Sequence, residues 1–290
     1  AGKLKTTILD LSLTARSAGT DMSGGAINDS VIVDFNRYLN QIEDVTSEHA
    51  RAQPGMFYRE FEKETLKLGA LMPSFPASRE LCTIGGMVAN NSGGELSLRY
   101  GKTERYINEL KVVFADGKEY NVKPLNKSEL EKKIAQDDYE GNIYKKVYEL
   151  IEEHYDEIKA AKPNVSKNST GYNLWNVWDR ETGVFDLTQL IVGSQGTLGF
   201  VTDIDFKLVP QEPFSRVLVA FMKNINNLGQ VINSVVAKSP TSFESFDNYT
   251  LFLSIKFFFY FRKTLGWKGL IKLGFNLLPD AFLLFRGIPK

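Results

Sequence analysis

TIGGMVANNSGG, residues 83–94, sets how the rest of the chain is read. Glycine at 85, 86, 93 and 94 leaves the backbone open to close approach by another group and to positive φ. Successive N–H groups in such a stretch form a concavity that binds anions, a pyrophosphate included. Two more stretches share this character: ARSAGTDMSGG at residues 15–25 and GSQGTLG at residues 193–199. Each lies beside a strand pattern, with residues 12–15 leading into the first and residues 200–208 following the last. Taken singly, each also reads as a tight turn. No GxxxxGK[ST] occurs, because Gly24 is followed by Gly25 and Ala26, and no GxGxxG opens a helix. Neither a P-loop nor a Rossmann site is supported.

The surrounding pattern mixes both periods. Residues 4–9 read as the end of a helix, 31–33 as a β-branched strand, and 50–53 as a strand closed by Pro54-Gly55. Helical spacing over 57–68 puts Phe57, Phe61, Thr65 and Leu68 on one face. Two alternating runs within 109–123 flank Asp116-Gly117, which predicts a type I′ hairpin. Residues 127–136 and 142–161 read as polar amphipathic helices. Pro210 and Pro213 mark a boundary, after which 217–221 reads as a strand and the region near 224–238 as a helix. No internal repeat or low-complexity tract interrupts this order.

Composition narrows the function classes. The 290 residues carry 35 basic and 35 acidic side chains, a formal net charge of zero, which argues against a nucleic-acid partner. An apolar share of 43% with 24% charged excludes disorder as the dominant state. Cys82 is the single cysteine, so no internal disulfide and no Cys₄ or Cys₂His₂ zinc site can form, and no metal site is read. The opening AGKLKTTILD lacks the apolar core of a signal peptide, and no apolar run reaches the ~18 residues that span a bilayer. A cytoplasmic location is the expectation. Residues 251–290 differ from the rest: seven basic side chains and one acid, Asp280, make them +6, which leaves residues 1–250 at −6. The same forty residues hold ten aromatics, including those at 257–261.

Five segments in order carry a resemblance: ARSAGTDMSGGA (15–26), TIGGMVANNSGG (83–94), YGKTERYINELKVVFADG (100–117), STGYNL (169–174) and GSQGTLGFVTDIDFKLVP (193–210). Over roughly residues 10–212 the chain resembles the FAD-linked oxidases of the vanillyl-alcohol oxidase type. It is most similar to the branch with D-lactate dehydrogenase, the glycolate oxidase flavin subunit, D-2-hydroxyglutarate dehydrogenase and alkylglycerone-phosphate synthase. The resemblance implies an α+β, two-subdomain FAD-binding fold of the PCMH type over 1–212 and the start of an α+β cap domain over 213–290.

On that resemblance, Arg16, Ser17, Ala18, Gly19, Thr20 and Asp21 wrap the FAD pyrophosphate with backbone N–H groups. Ser78, Thr83, Gly85, Gly86, Asn90, Asn91, Ser92 and Gly93 contact the ribityl chain, pyrophosphate and flavin. Gln195, Gly196, Thr197, Leu198, Gly199 and Val201 hold the adenosine side. Several relatives attach flavin through a histidine in the first loop. Thr20 stands in that place here, and the only histidines, His49 and His154, lie in polar stretches, so FAD is expected to be noncovalent. Gln195 replaces the usual glutamate of the third loop, keeping an acceptor and adding a donor.

The resemblance also implies the chemistry: a small D-2-hydroxy acid loses its hydroxyl proton to a base and hydride to the flavin. Arg79, Lys167 and Tyr172 are the substrate-side candidates, and the catalytic residue is unknown. The family places a Glu-His-Gly-like motif in the cap, and none occurs here. With a strand–helix–strand unit expected before the first loop and more cap after residue 290, the chain is expected to be a fragment. Two alternatives stand beside the dehydrogenase: an alkylglycerone-phosphate synthase-like transferase, against which STGYNL argues, and a non-catalytic flavin-binding fragment. Residues 251–290 read either as cap core or as a membrane-surface patch on the cytoplasmic face that brings the flavin to a quinone or another electron acceptor.

Overall fold

A computed structural model describes residues 11–165, 167–222, 224–257, 260 and 266. The chain divides into two compact units, Ala1–Pro213 and Phe214–Lys290.

The first unit opens with β1 (Leu13–Arg16) and β2 (Val31–Asp34), paired in parallel with Leu13 opposite Val31. A parallel pair needs a crossover of a dozen or more residues, usually a helix. Here the first glycine-rich loop makes that crossover. Next come β3 (Ile42–Val45), β4 (His49–Ala52), α1 (Tyr58–Leu66), β5 (Ala70–Leu71), α2 (Ile84–Ala89) and α3 (Ser97–Tyr100). The chain continues through β6 (Ile107–Val113), β7 (Glu119–Val122), β8 (Leu125–Asn126), α4 (Lys127–Ile134), α5 (Tyr139–Glu153) and α6 (Tyr155–Ala160). The unit ends with β9 (Trp178–Asp179), β10 (Val184–Phe185), α7 (Thr188–Ile191), β11 (Phe200–Lys207) and β12 (Val209–Pro210).

A five-stranded antiparallel sheet of order β3-β4-β11-β6-β7 forms the centre. Its two faces follow the period of two. Ala50, Ala52, Leu110, Val112, Ile204 and Phe206 are fully buried on the core face. The alternating positions Arg51, Glu109, Asp203 and Asp205 meet on the other face, where Arg51 Nη1 lies 2.6 Å from Asp203 Oδ1 and Nη2 3.1 Å from Glu109 Oε1. Ile107 and Leu110 both reach the core although three residues apart, because the β11–β6 register shifts between Asp205 and Phe206.

α1 packs Tyr58, Phe61 and Thr65 against this sheet, with the Phe61 and Phe206 rings edge to face at 5.5 Å. The expected fourth member of that face, Leu68, is 49% exposed. The last turn tightens, with Leu68 N–H donating to Thr65 O and Gly69 N–H to Leu66 O, which rotates Leu68 off the stripe.

A smaller layer joins α4 and α5 to the three-stranded sheet β8-β10-β9. Asn126 and Glu129 form a capping box for α4, and Asp138 caps α5 by accepting from Gly141 N–H at 2.7 Å. The single helix expected over 142–161 is two: His154, at φ −115 and ψ 27, ends α5 and begins α6.

The hairpin at Asp116-Gly117 exists, but its turn differs from the expected type I′. Gly117 alone takes positive φ, +79, and Gly117 N–H donates to Phe114 O while Phe114 N–H donates to Lys118 O. The loop therefore has three residues, 115–117, with glycine in the left-handed position. Type I′ would need positive φ at aspartate as well.

In the second unit, the expected strand at 217–221 is absent: no partner strand lies beside it among the described residues, and Val217 and Leu218 are 89% and 92% exposed. α8 (Leu228–Val236) and α9 (Asn248–Lys256) follow. No helix among the described residues is long and apolar enough to cross a membrane. The helix end expected at 4–9 lies outside the described residues, as does most of the basic aromatic tail.

Candidate functional site

The three glycine-rich loops meet. Ser17 of the first is hydrogen-bonded to Thr83 of the second, hydroxyl to hydroxyl. The third is tied to the end of α2: Gly193 N–H donates to Val88 O at 2.9 Å, and Gln195 N–H to Ala89 O at 2.8 Å. The third also meets the first, since a Cβ on Gly196 would lie 3.4 Å from Ala15 Cβ. Between them opens a cleft lined by Ala15, Ser17, Pro54, Gly85, Gln195, Gly196, Gly199, Val201 and others; Arg16 and residues 18–21 of the first loop are not part of that lining.

The first loop is built to attract an anion. Among the described residues, the backbone N–H groups of 17–20 have no protein acceptor. Arg16 folds its side chain back under this turn: Nη1 donates to Ala26 O at 3.2 Å, and a Cβ on Gly19 would lie 2.3 Å from Nη2. Gly19 itself takes φ +64. A guanidinium therefore sits directly beside a run of free amides. The one acid of the loop, Asp21, stays ionised: the Ser23 hydroxyl and the N–H groups of Ser23 and Gly25 hold its carboxyl below the usual range and occupy its oxygens.

The second loop is held from behind. Gly85 N–H donates to Pro54 O at 2.8 Å, and Ile84 N–H to Met56 O at 3.0 Å, so the start of α2 is pressed on the turn after β4. Asn91, at φ +44, turns its side chain away to Glu104: Oδ1 accepts from Glu104 N–H at 3.1 Å and Nδ2 donates to the Glu104 carboxylate. Burial pushes that carboxyl up, against the pull of Lys102, Arg105 and Lys162. The Ser92 carbonyl accepts from both Thr103 N–H and Thr103 Oγ1.

In the third loop, Gln195 stands at φ +53 with Oε1 3.6 Å from where a Gly25 Cβ would be. Thr197 Oγ1 donates to Ser194 O at 2.6 Å and meets the Tyr172 hydroxyl. Leu198 is 37% exposed.

Other sequence candidates stand apart from the cleft lining. Ser78 O accepts from Leu81 and Cys82 N–H within a turn. Arg79 is claimed by Glu62, with Nε 3.0 Å from Oε2 and Nη2 2.5 Å from Oε1, and stacks on Phe75. Lys167 is exposed, and Tyr172, at φ +48, closes the back of the third loop. His49 lies on the charged sheet face, 3.5 Å from Asp205, and His154 at the α5–α6 junction. Sequence reasoning missed Phe35, Pro54, Ala89, Ile191 and Ser194, which also line the cleft. Ala89 and Ser194 lie inside the second and third glycine-rich stretches, Pro54-Gly55 read as a turn, and Phe35 and Ile191 left no signal.

Residues 8–123 match the family described as FAD binding domain. D-2-hydroxyglutarate dehydrogenase of Pseudomonas putida is 26% identical over 246 residues, 84% of this chain and 24% of the relative. Glycolate oxidase subunit GlcD of Bacillus subtilis is 28% identical over 244 residues, 82% of this chain and 41% of the relative. D-lactate dehydrogenase of Archaeoglobus fulgidus is 26% identical over 198 residues, covering 68% and 33%. Among solved structures, an alkyldihydroxyacetonephosphate synthase aligns with TM-score 0.43 and 20% identity over 69% of this chain and 29% of that one. The chain thus spans about a quarter of the D-2-hydroxyglutarate dehydrogenase and two fifths of the glycolate oxidase subunit. Over residues 8–123, about two fifths of its length, the chain is similar to the FAD binding domain family, and mixed helices and strands surround the converged loops there.

Proposed function

We propose that this chain holds FAD noncovalently in the cleft between its three glycine-rich loops, as part of a protein that oxidises a small D-2-hydroxy acid. The observation that carries the cofactor reading is the run of free amides at 17–20 beside the Arg16 guanidinium, starting at Ser17 on the wall of a cleft that the other two loops also line. Two linked phosphates want several N–H donors and a nearby positive charge, and this loop offers both. Loop 83–94 and residues 195–201 close the cleft on the remaining sides. Bound FAD supplies the hydride acceptor; this chain's residues position it and shield it from water. Thr20 has no nucleophile suited to a flavin bond, and neither histidine lies in the loops, so the attachment is by contacts alone.

The substrate class follows from the names of the relatives. Flavin absorption bands in the purified protein, with release of the cofactor by acid, test noncovalent FAD. Anaerobic addition of D-lactate, glycolate or D-2-hydroxyglutarate tests the substrate: bleaching by one supports the reading, and unchanged bands with all three defeat it. The membrane-surface role of 251–290 rests on the charge and aromatic content of that tail. Co-sedimentation with anionic liposomes, alongside neutralisation of Arg262, Lys263 and Lys268, tests it, and no binding at low salt dismisses it.

A further inference from the structure

A second cleft opens between the turn after α3, residues 162–165 and 168–176, and the start of α7. It shares no lining residue with the glycine-loop cleft. We infer that this second cleft binds a small organic carboxylate, gripped by Arg105 and Lys162 over the buried amine of Lys102.

Lys102 forms its floor. Lys102 is 5% exposed, and its Nζ donates to Asn168 O at 2.6 Å and to Ser169 Oγ at 3.2 Å. An ammonium has three donors, so one remains for a ligand. Arg105 and Lys162 stand at the walls. Among the described residues, neither side chain makes a salt bridge or a hydrogen bond. The Arg105 side chain passes close over Gly101, where a Cβ would lie 2.5 Å from Arg105 Nε. A planar fork with its donors unspent suits the two oxygens of a carboxylate.

Two acids also line the cleft. Asp186 is satisfied internally, accepting from Thr188 N–H, Thr188 Oγ1 and Gln189 Nε2. Glu104 accepts from Asn91, and burial raises its carboxyl above the ordinary range. The three cations exceed the two carboxylates, so an anion is favoured. Glu104 decides which kind. It disfavours a compact dianion such as phosphate, whose charges sit on one centre, whereas the two carboxylates of a small diacid are spread apart, so one can pair with Arg105 and Lys162 while the other stays clear of Glu104. Asn168 and Asn173 add neutral polar groups for the rest of the ligand.

Calorimetric titration at constant ionic strength tests this, with succinate and inorganic phosphate as probes. Succinate is expected to bind at least tenfold more tightly than phosphate. The double variant Arg105→Gln/Lys162→Gln should lose at least tenfold in succinate affinity while keeping its flavin bands and melting temperature, since both side chains are exposed and outside the glycine-loop cleft. Glu104→Gln should tighten succinate binding near neutral pH, where both succinate carboxylates are ionised and the Glu104 charge repels them. Equal affinity for the two anions, or an undiminished affinity in the double variant, overturns the inference. Loss of flavin binding with succinate binding intact would instead strike the cofactor reading alone.

Discussion

Replacing Gly85 with alanine probes the packing that fixes the cofactor cleft. The added Cβ would lie 2.4 Å from Pro54 Cβ and 2.7 Å from Pro54 O. Ordinary contact begins near 3.4 Å, so the start of α2 must retreat from Pro54 by about 1 Å. The Gly85 N–H···O Pro54 bond, 2.8 Å long, then stretches to about 3.8 Å and is lost. Forcing a methyl into a packed site costs about 1–3 kcal/mol, and the broken buried bond adds about 1 kcal/mol. The sum, about 2–4 kcal/mol, corresponds to a drop of about 4–16 °C in Tm for a unit of this size. Gly117→Ala is the control. Nothing lies within 4 Å of its Cβ, so only the left-handed strain of about 1 kcal/mol applies. Scanning calorimetry compares the two, and flavin titration should show Gly85→Ala binding FAD about tenfold more weakly, the equivalent of 1.4 kcal/mol. A Gly85→Ala melting point at or above that of Gly117→Ala would refute the reasoning.

Three other outcomes follow from the same structure. Arg79→Ala strands Glu62, which is 7% exposed, and should cost about 2 kcal/mol in urea unfolding while leaving FAD affinity unchanged. Burial raises the Asp186 carboxyl above 3.8, so the folded state holds that proton more tightly; stability should fall as pH rises from 3.8 through the raised value, and Asp186→Asn should remove that slope in urea midpoints. Burial pushes the Cys82 thiol up to about 11, so its reaction with a disulfide reagent near neutral pH should wait for unfolding and follow the denaturant transition.

Much of the fold was legible because burial imposes periodicity. The core face of β11 and α1 could be read from residues such as Phe61, Ile204 and Phe206. The failures have local causes. Asp116-Gly117 named a hairpin but not its loop length, which the β6–β7 register and a left-handed glycine decide. Leu68 kept helical spacing past the point where the last turn tightens. The apolar run at 217–221 has strand composition but no partner to pair with among the described residues. In the site, small residues gave away all three loops, whereas Phe35 and Pro54 carry no mark that separates a cleft wall from a turn or a core position. Arg79 read as a substrate-side cation because its partner Glu62 sits seventeen residues earlier, on a helix face the sequence alone does not aim.

The account rests on one cleft built from three separated bends. Backbone amide spectra of the isotopically labelled protein, recorded while FAD is added, test it most directly. The largest shifts should fall on residues 17–20, with Gly85, Gly86, Gln195 and Gly196 moving in step at the same FAD concentration. Shifts confined to one bend, or centred on residues outside all three, would contradict it.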